Sequence, residues 1–203
     1  MELFTHIKLG KGKYSKVYKA MDSKMNRMLA VKAIDVTELT DDVKNKFLPR
    51  EISCWRKLKH RFIVALYAQY EAQNMIFLAM EYGNNGDMLR FVQKHSGLDE
   101  WQAGRYMSQL LKGLNYMHER GIAHRDIKLE NIILFDNCAK LSDFGFVRHM
   151  ESANTLSNTY CGSKSYSAPE LLKGTMMMYD VGCRPTSMQA LQLPWISPHG
   201  RDL

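Results

Sequence analysis

His124-Arg-Asp-Ile-Lys-Leu-Glu-Asn131 packs six polar residues into eight, and Asp143-Phe-Gly145 follows twelve residues after Asn131. Between them Ile132-Ile133-Leu134 returns to strand character at once. The polar run therefore reads either as a solvated loop or as a loop held between ordered elements. Its residue types suit one kind of chemistry. Asn131 and Asp143 are hard oxygen donors of the sort that bind Mg2+ together with phosphate. Asp126 is suited to accept a proton from a hydroxyl, or to orient it.

Toward the N-terminus, residues 99–120 place Ala103, Tyr106, Met107, Leu110, Leu111, Leu114 and Met117 at the spacing of an amphipathic helix, with Gly121 as its stop. Before it, Gly83-Asn84-Asn85-Gly86 reads as a turn or hinge. Residues 3–10 and 14–21 alternate as a hairpin around Gly10 and Gly12, and 28–35 form a further strand. Residues 41–59 are helical in pattern, with Pro49 marking a start or a break, and apolar runs occupy 62–70 and 75–82. A β-rich part (1–82) is thus expected to join a mainly helical part (87–203) through a hinge at 83–86, and clefts between such parts favour ligands. Within the first part, Leu9-Gly-Lys-Gly-Lys-Tyr-Ser-Lys-Val17 lets backbone N–H groups approach a phosphate, although such a hairpin taken alone is more often an ordinary turn. Leu29-Ala-Val-Lys32 sets a lysine on an apolar strand, as an edge residue facing water or as a cation for an anion. Glu51, on the following helix, is its candidate ion-pair partner.

The 203 residues are 45% apolar and 24% charged, close to a globular average and too apolar for a disordered chain. The formal net charge of +7 comes from lysines and arginines spread along the chain. That argues against a nucleic-acid-binding arm and fits a solvated basic surface or an anionic ligand. No run approaches the length of a membrane span, and Met1-Glu-Leu-Phe-Thr-His6 lacks the pattern of a signal peptide. Cys54, Cys138, Cys161 and Cys183 form no Cys-x-x-Cys pair and read as reduced thiols. A cytoplasmic location is expected, with neither membrane nor nucleic acid as partner.

Taken in order, these motifs resemble the signature set of the eukaryotic protein kinases. Gly10, Gly12 and Val17 resemble the glycine-rich loop, with Ser15 in the place of its third glycine. Lys32 resembles the strand lysine, Glu51 the helix glutamate, and Asp126, Lys128 and Asn131 the catalytic loop. Asp143 resembles the magnesium-binding aspartate, and Ala168-Pro169-Glu170 the end of the activation segment. Lys128 is similar to the serine/threonine type. Ser142-Asp-Phe-Gly-Phe-Val-Arg148 and Thr159-Tyr-Cys-Gly-Ser163 resemble the calcium/calmodulin-dependent group, and within it the testis-specific serine/threonine kinases.

The resemblance implies an α+β, two-lobe protein kinase fold, with ATP and Mg2+ as cofactors and a serine or threonine of a protein substrate as acceptor. It implies that Leu9, Val17, Ala30 and Ile133 enclose adenine and that Met80 backs the pocket. Glu81 and Gly83 then offer backbone groups to the base, and Asp87 reaches the ribose. Lys32 and Glu51 hold the phosphates, Asn131 and Asp143 hold Mg2+, Asp126 orients the acceptor hydroxyl and Lys128 neutralises charge. Trp55, Leu66, His124 and Phe144 stack into an internal column. Arg125 beside Asp126 implies control by an activating kinase at Thr159. Asp87 with Glu130 implies a substrate arginine upstream of the target residue.

The likeness runs from Leu3 to about Gly174 and then breaks. The family's buried helix carrying Asp-x-Trp-x-x-Gly has no counterpart, and Cys183–Ile196 resembles the last helix of its C-terminal lobe, with Arg184 matching the partner of Glu170. The helical lobe is therefore expected to be truncated. The apolar face of the 99–120 helix is expected to be partly exposed, at a cost on the order of 10 kcal/mol, unless a partner or chaperone covers it. Two functions stay open on the sequence: a serine/threonine protein kinase, or a catalytically impaired remnant that binds ATP or acts as a decoy.

Overall fold

A computed structural model describes residues 3–12, 14–136, 138–145, 148–149, 166 and 184–200. The alternation of the N-terminal segments yields strands β1 (Leu3–Lys11), β2 (Ser15–Asp22), β3 (Arg27–Asp35), β4 (Leu66–Ala72) and β5 (Met75–Glu81). They form a five-stranded sheet in the order β1-β2-β3-β5-β4, with every pairing antiparallel. Residues directly opposite each other share a face, and alternate residues of a strand return to it. The register sets Gly10 opposite Val17, Val17 opposite Lys32 and Lys32 opposite Leu78, with Ala30 opposite Met80 alongside. These residues line one face. The other face carries the apolar cluster of Ala20, Leu29, Val31 and Ala79, packed by Ala68 and Phe77.

The helical pattern at 41–59 proves to be two pieces. A π-type turn, Val43–Phe47, leads into helix α1 (Leu48–Lys57). Pro49 lies in the first turn of α1, where its missing N–H costs no helical hydrogen bond, so it starts the regular helix. Leu48, Ile52, Cys54 and Trp55 turn inward. Trp55 is 2% exposed, and its indole N–H donates to the Val64 carbonyl at 2.7 Å. A tryptophan is needed for that bond, because its ring nitrogen reaches a strand-leading carbonyl that no apolar side chain could satisfy.

By contacts, residues 1–59 and 64–84 form one unit, and residues 60–63 and 85–203 form the other. In the second unit, Asp87 caps α2 (Met88–His95) by accepting from Arg90 N–H, and Asp99 caps α3 (Glu100–His118) by accepting from Gln102 N–H at 2.7 Å. Gly121 ends the α3 region at φ 65. Of the apolar stripe expected on α3, Leu110 and Met117 are buried and Met107 is 43% exposed, while Ala103, Tyr106, Leu111 and Leu114 are half-buried. The buried line also runs through Gly104, Ser108, Gln109 and Gly113, residues that no hydrophobic periodicity singles out. Gln109 is there because its side-chain oxygen accepts from Ala139 N–H at 2.7 Å.

Short strands follow: β6 (Ile122–Ala123), β7 (Ile132–Leu134), β8 (Ala139–Leu141) and β9 (Arg148–His149). β6 pairs with β9, and β7 with β8. Helix α4 (Ser187–Ala190) begins with a capping box between Thr186 and Gln189. This C-terminal piece lies along α3. Ser187 Oγ is 3.1 Å from His118 Nδ1 and donates to Asn115, Trp195 N–H donates to Glu100 at 3.0 Å, and Ile196 is buried. Part of the α3 surface expected to be bare is thus covered, while Trp101 stays 55% exposed. The break in the family pattern after about residue 174, Ala168-Pro169-Glu170 and Thr159 lie outside the described residues. Cys54 and Cys138 are free thiols, and among the described residues no helix is long and apolar enough to cross a membrane.

Candidate active site

The polar run at 124–131 is a held loop. β6 delivers the chain into it, a single 3-10 turn (Leu129–Asn131) closes it, and β7 takes the chain away. His124, Asp126 and Asn131 are buried. Asn131 Nδ2 donates to the Asp126 carbonyl at 2.8 Å and to Asp126 Oδ2 at 2.9 Å. Lys128 Nζ lies 2.9 Å from the same Oδ2. Two donors on one carboxylate oxygen fix the direction in which Asp126 faces, and charge-assisted bonds hold that direction firmly. With its NH2 committed to Asp126, Asn131 has its amide oxygen left for a cation.

His124 ties this loop to the next. Its Nδ1 accepts from Asp126 N–H at 3.3 Å, and its Nε2 donates to the Ser142 carbonyl at 3.0 Å, which requires the neutral tautomer protonated on Nε2. Burial pushes the His124 imidazole below its usual range, against the Ser142 carbonyl and the Asp143 and Asp126 carboxylates, which pull it up. Its ring meets the fully buried Phe144 ring at 5.3 Å. Ser142 N–H in turn donates to the Asn131 carbonyl at 2.9 Å. Asp143 therefore follows directly on a residue clamped through both backbone groups. Asp143 and Arg125 sit at φ 58 and φ 67, left-handed values that cost a non-glycine residue about 1–2 kcal/mol and gather at functional sites. Asn131 and Asp143 are both oxygen donors, as Mg2+ carried by phosphate prefers, and among the described residues no group of three His, Cys, Asp or Glu side chains assembles.

The first unit presents the other candidates. Gly12 N–H donates to the Ser15 carbonyl at 2.8 Å, closing the turn between β1 and β2. A Cβ on Gly12 would lie 2.9 Å from Ser15 Oγ, whereas one on Gly10 would meet no atom of the described residues within 4 Å. Ser15, in the place of a third glycine, therefore closes the turn, and Gly10 borders space that none of the described residues fills. Val17, Ala30 and Lys32 follow Gly10 on one sheet face, and Leu9 is half-buried on β1. Glu51 is 8% exposed in the first turn of α1. Carboxylates are rarely so buried without a cation nearby. Glu81 N–H donates to the Ala65 carbonyl at 2.9 Å and its side chain accepts from Ala65 N–H, which fixes the end of β5. Gly83 is buried just beyond it.

Two residues carry roles that the sequence reading did not assign. Asp87 has its carboxylate engaged as the α2 cap and lies 3.3 Å from Arg90 Nε; Ile133 bridges to it through the backbone. Ser142 acts through its backbone, and a backbone clamp has no residue-type signal.

The chain matches the family model "Protein kinase domain" over residues 4–195. It is 38% identical to human testis-specific serine/threonine-protein kinase 4 over 183 residues, covering 82% of this chain and 56% of that one. It is 40% identical to mouse testis-specific serine/threonine-protein kinase 1 over 174 residues, covering 83% and 48%. Mouse NUAK family SNF1-like kinase 1 is 34% identical over 167 residues, covering 82% and 25%. The chain thus spans about half the length, or less, of these three relatives.

Proposed function

Because this chain belongs to the protein kinase family, we propose that it transfers the γ-phosphoryl group of ATP to serine or threonine hydroxyls of proteins. The observation that carries the reading is the buried Asp126, whose carboxylate is held by Asn131 and Lys128 on one oxygen and whose backbone N–H is joined through His124 to Ser142, the residue before Asp143. The acceptor hydroxyl oxygen bonds to the γ-phosphorus, the bond from that phosphorus to the β,γ-bridging oxygen breaks, and ADP leaves with the electron pair. Asp126 orients the hydroxyl and takes its proton. Lys128 balances charge on the transferred group. Lys32, partnered by Glu51, holds the phosphates, and the turn bearing Gly10 and Gly12 covers them. Asn131 and Asp143 would hold Mg2+, which would supply positive charge to the phosphate oxygens.

In this reading residues 1–82 form the N-terminal lobe, 83–86 the hinge and 87–203 the C-terminal lobe. Leu9, Val17, Ala30 and Ile133 enclose the base, the Glu81 carbonyl and the Gly83 backbone bind its edge, and Asp87 serves the ribose while it caps α2. Thr159 is the activating phosphosite, and protein substrates carry an upstream arginine. The protein acts in the cytoplasm.

Thermal unfolding with and without millimolar MgATP, followed by a phosphotransfer assay, tests this. MgATP should raise the parent's midpoint, since a ligand of the native state stabilises it, and should leave Lys32→Met unmoved. Asp126→Asn should keep the shift and lose phosphotransfer by roughly 10²-fold or more. A parent whose midpoint ignores MgATP would instead be the non-catalytic remnant.

A further inference from the structure

The segment His60–Ile63 follows α1 in the chain yet packs in the second unit. Its Phe62 carbonyl accepts from Leu141 N–H at 2.9 Å, and Ile63 bridges to Leu141, the last residue of β8 and two before Asp143. The segment also presses on α3 so closely that a Cβ on Gly113 would lie 3.1 Å from the Phe62 carbonyl.

His60 holds this arrangement. Its carbonyl accepts from Ile63 N–H at 3.1 Å, and its Nδ1 accepts from Phe62 N–H at 3.2 Å. Its ring stacks on Tyr116 at 4.8 Å and meets Phe62 edge-on at 5.6 Å. Arg120 lies over the Tyr116 ring at 3.6 Å, and Arg61 over Phe62 at 5.7 Å. The charged groups facing His60 are Lys112 on α3 and Arg120 in the turn after it, with Glu119 4.0 Å from Arg120; Lys59 and Arg61 flank it in the chain.

We propose that His60 is a positioning residue for Asp143, holding β8 through Phe62 and Ile63 only while Nδ1 remains a hydrogen-bond acceptor. A proton on Nδ1 removes the acceptor for Phe62 N–H and adds a cation beside Lys112 and Arg120. Burial, followed by the charges of Arg120 and Lys112, already holds this imidazole below its usual range, so the neutral ring is the form the fold favours. The consequence for Mg2+ rests on the kinase reading of Asp143; the hold on β8 does not.

Amide hydrogen exchange on the full chain tests it at pH 7.5 and 5.5, corrected for intrinsic exchange. Protection of the Leu141 amide should fall about tenfold more in the parent than in His60→Asn, which keeps an acceptor oxygen but cannot titrate. His118 and His124 titrate in both proteins and cancel. Equal falls overturn the proposal. Should His60→Asn not fold, Lys112→Gln with Arg120→Gln decides it: loss of Leu141 protection must move to higher pH, and an unmoved profile overturns it. MgATP affinity read alongside should weaken at pH 5.5 more in the parent than in His60→Asn. A parent indifferent to MgATP at both pH values sinks the kinase reading, and the exchange result still stands or falls alone.

Discussion

Replacing Trp55 by phenylalanine removes one hydrogen bond and part of one ring from a closed site. Trp55 and Val64 are 2% and 1% exposed, so neither water nor a neighbour replaces the 2.7 Å bond from the indole N–H to the Val64 carbonyl. A buried carbonyl left without its donor costs about 1–3 kcal/mol. The missing ring atoms forfeit about 2 kcal/mol of packing at roughly 0.8 kcal/mol per carbon. A loss of about 3–5 kcal/mol is expected, a large share of a domain's usual 5–15 kcal/mol. Urea unfolding followed by far-UV circular dichroism measures it. Trp101→Phe, at a site 55% exposed, is the control and should stay within about 0.5 kcal/mol of the parent. Since Trp55 lies one helical turn beyond Glu51, the same variant should also weaken stabilisation by MgATP. A loss under about 1 kcal/mol, or one equal to the control's, would refute the argument that the indole nitrogen pins α1.

Asn131→Ala strips the donors from the Asp126 carbonyl and Oδ2 and should cost about 2–4 kcal/mol in chemical denaturation, along with most phosphotransfer. Gly113→Ala would ordinarily gain up to about 1 kcal/mol of helix propensity, but its Cβ meets the Phe62 carbonyl at 3.1 Å, so a net loss of about 1–2 kcal/mol is expected in a thermal melt. A gain would mean that the segment yields freely. Burial lowers the imidazoles of His60, His118 and His124. Below their unfolded value of about 6.5 the unfolded chain binds more protons than the folded one. Stability should therefore be full above that pH and decline as pH falls through it; urea midpoints at pH 7.5, 6.5 and 5.5 that do not move would contradict this.

The loop at 124–131 and the strands were legible because they are local. Alternation marks β1 to β3, and a dense polar run between a helix and an apolar triplet has few other uses. What escaped depends on partners far along the chain. His60 and Phe62 look like the end of a helix and the start of a strand, and only Leu141 and Tyr116 reveal where they belong. Gly113 reads as a mild flaw in an amphipathic helix until the Phe62 carbonyl fills the space beside it. Asp87 was read by its family role, and a cap on α2 was overlooked although an aspartate before an apolar turn is the ordinary sign of one.

The bond between Phe62 and Leu141 joins residues about 80 positions apart. On a ribosome adding 5–20 residues per second, the acceptor emerges roughly 4–16 s before its donor has been made. Phe62 and Ile63, 3% and 1% exposed in the finished fold, spend that interval without β8 beside them, and the first part of it without α3 either. The sheet of the first unit gains its last strand, β5, at residue 81 and can close while these two side chains still wait. A nascent chain stalled after β5 and before α3 should therefore display an apolar pair beside an otherwise complete sheet, a ready mark for chaperones that bind growing polypeptides.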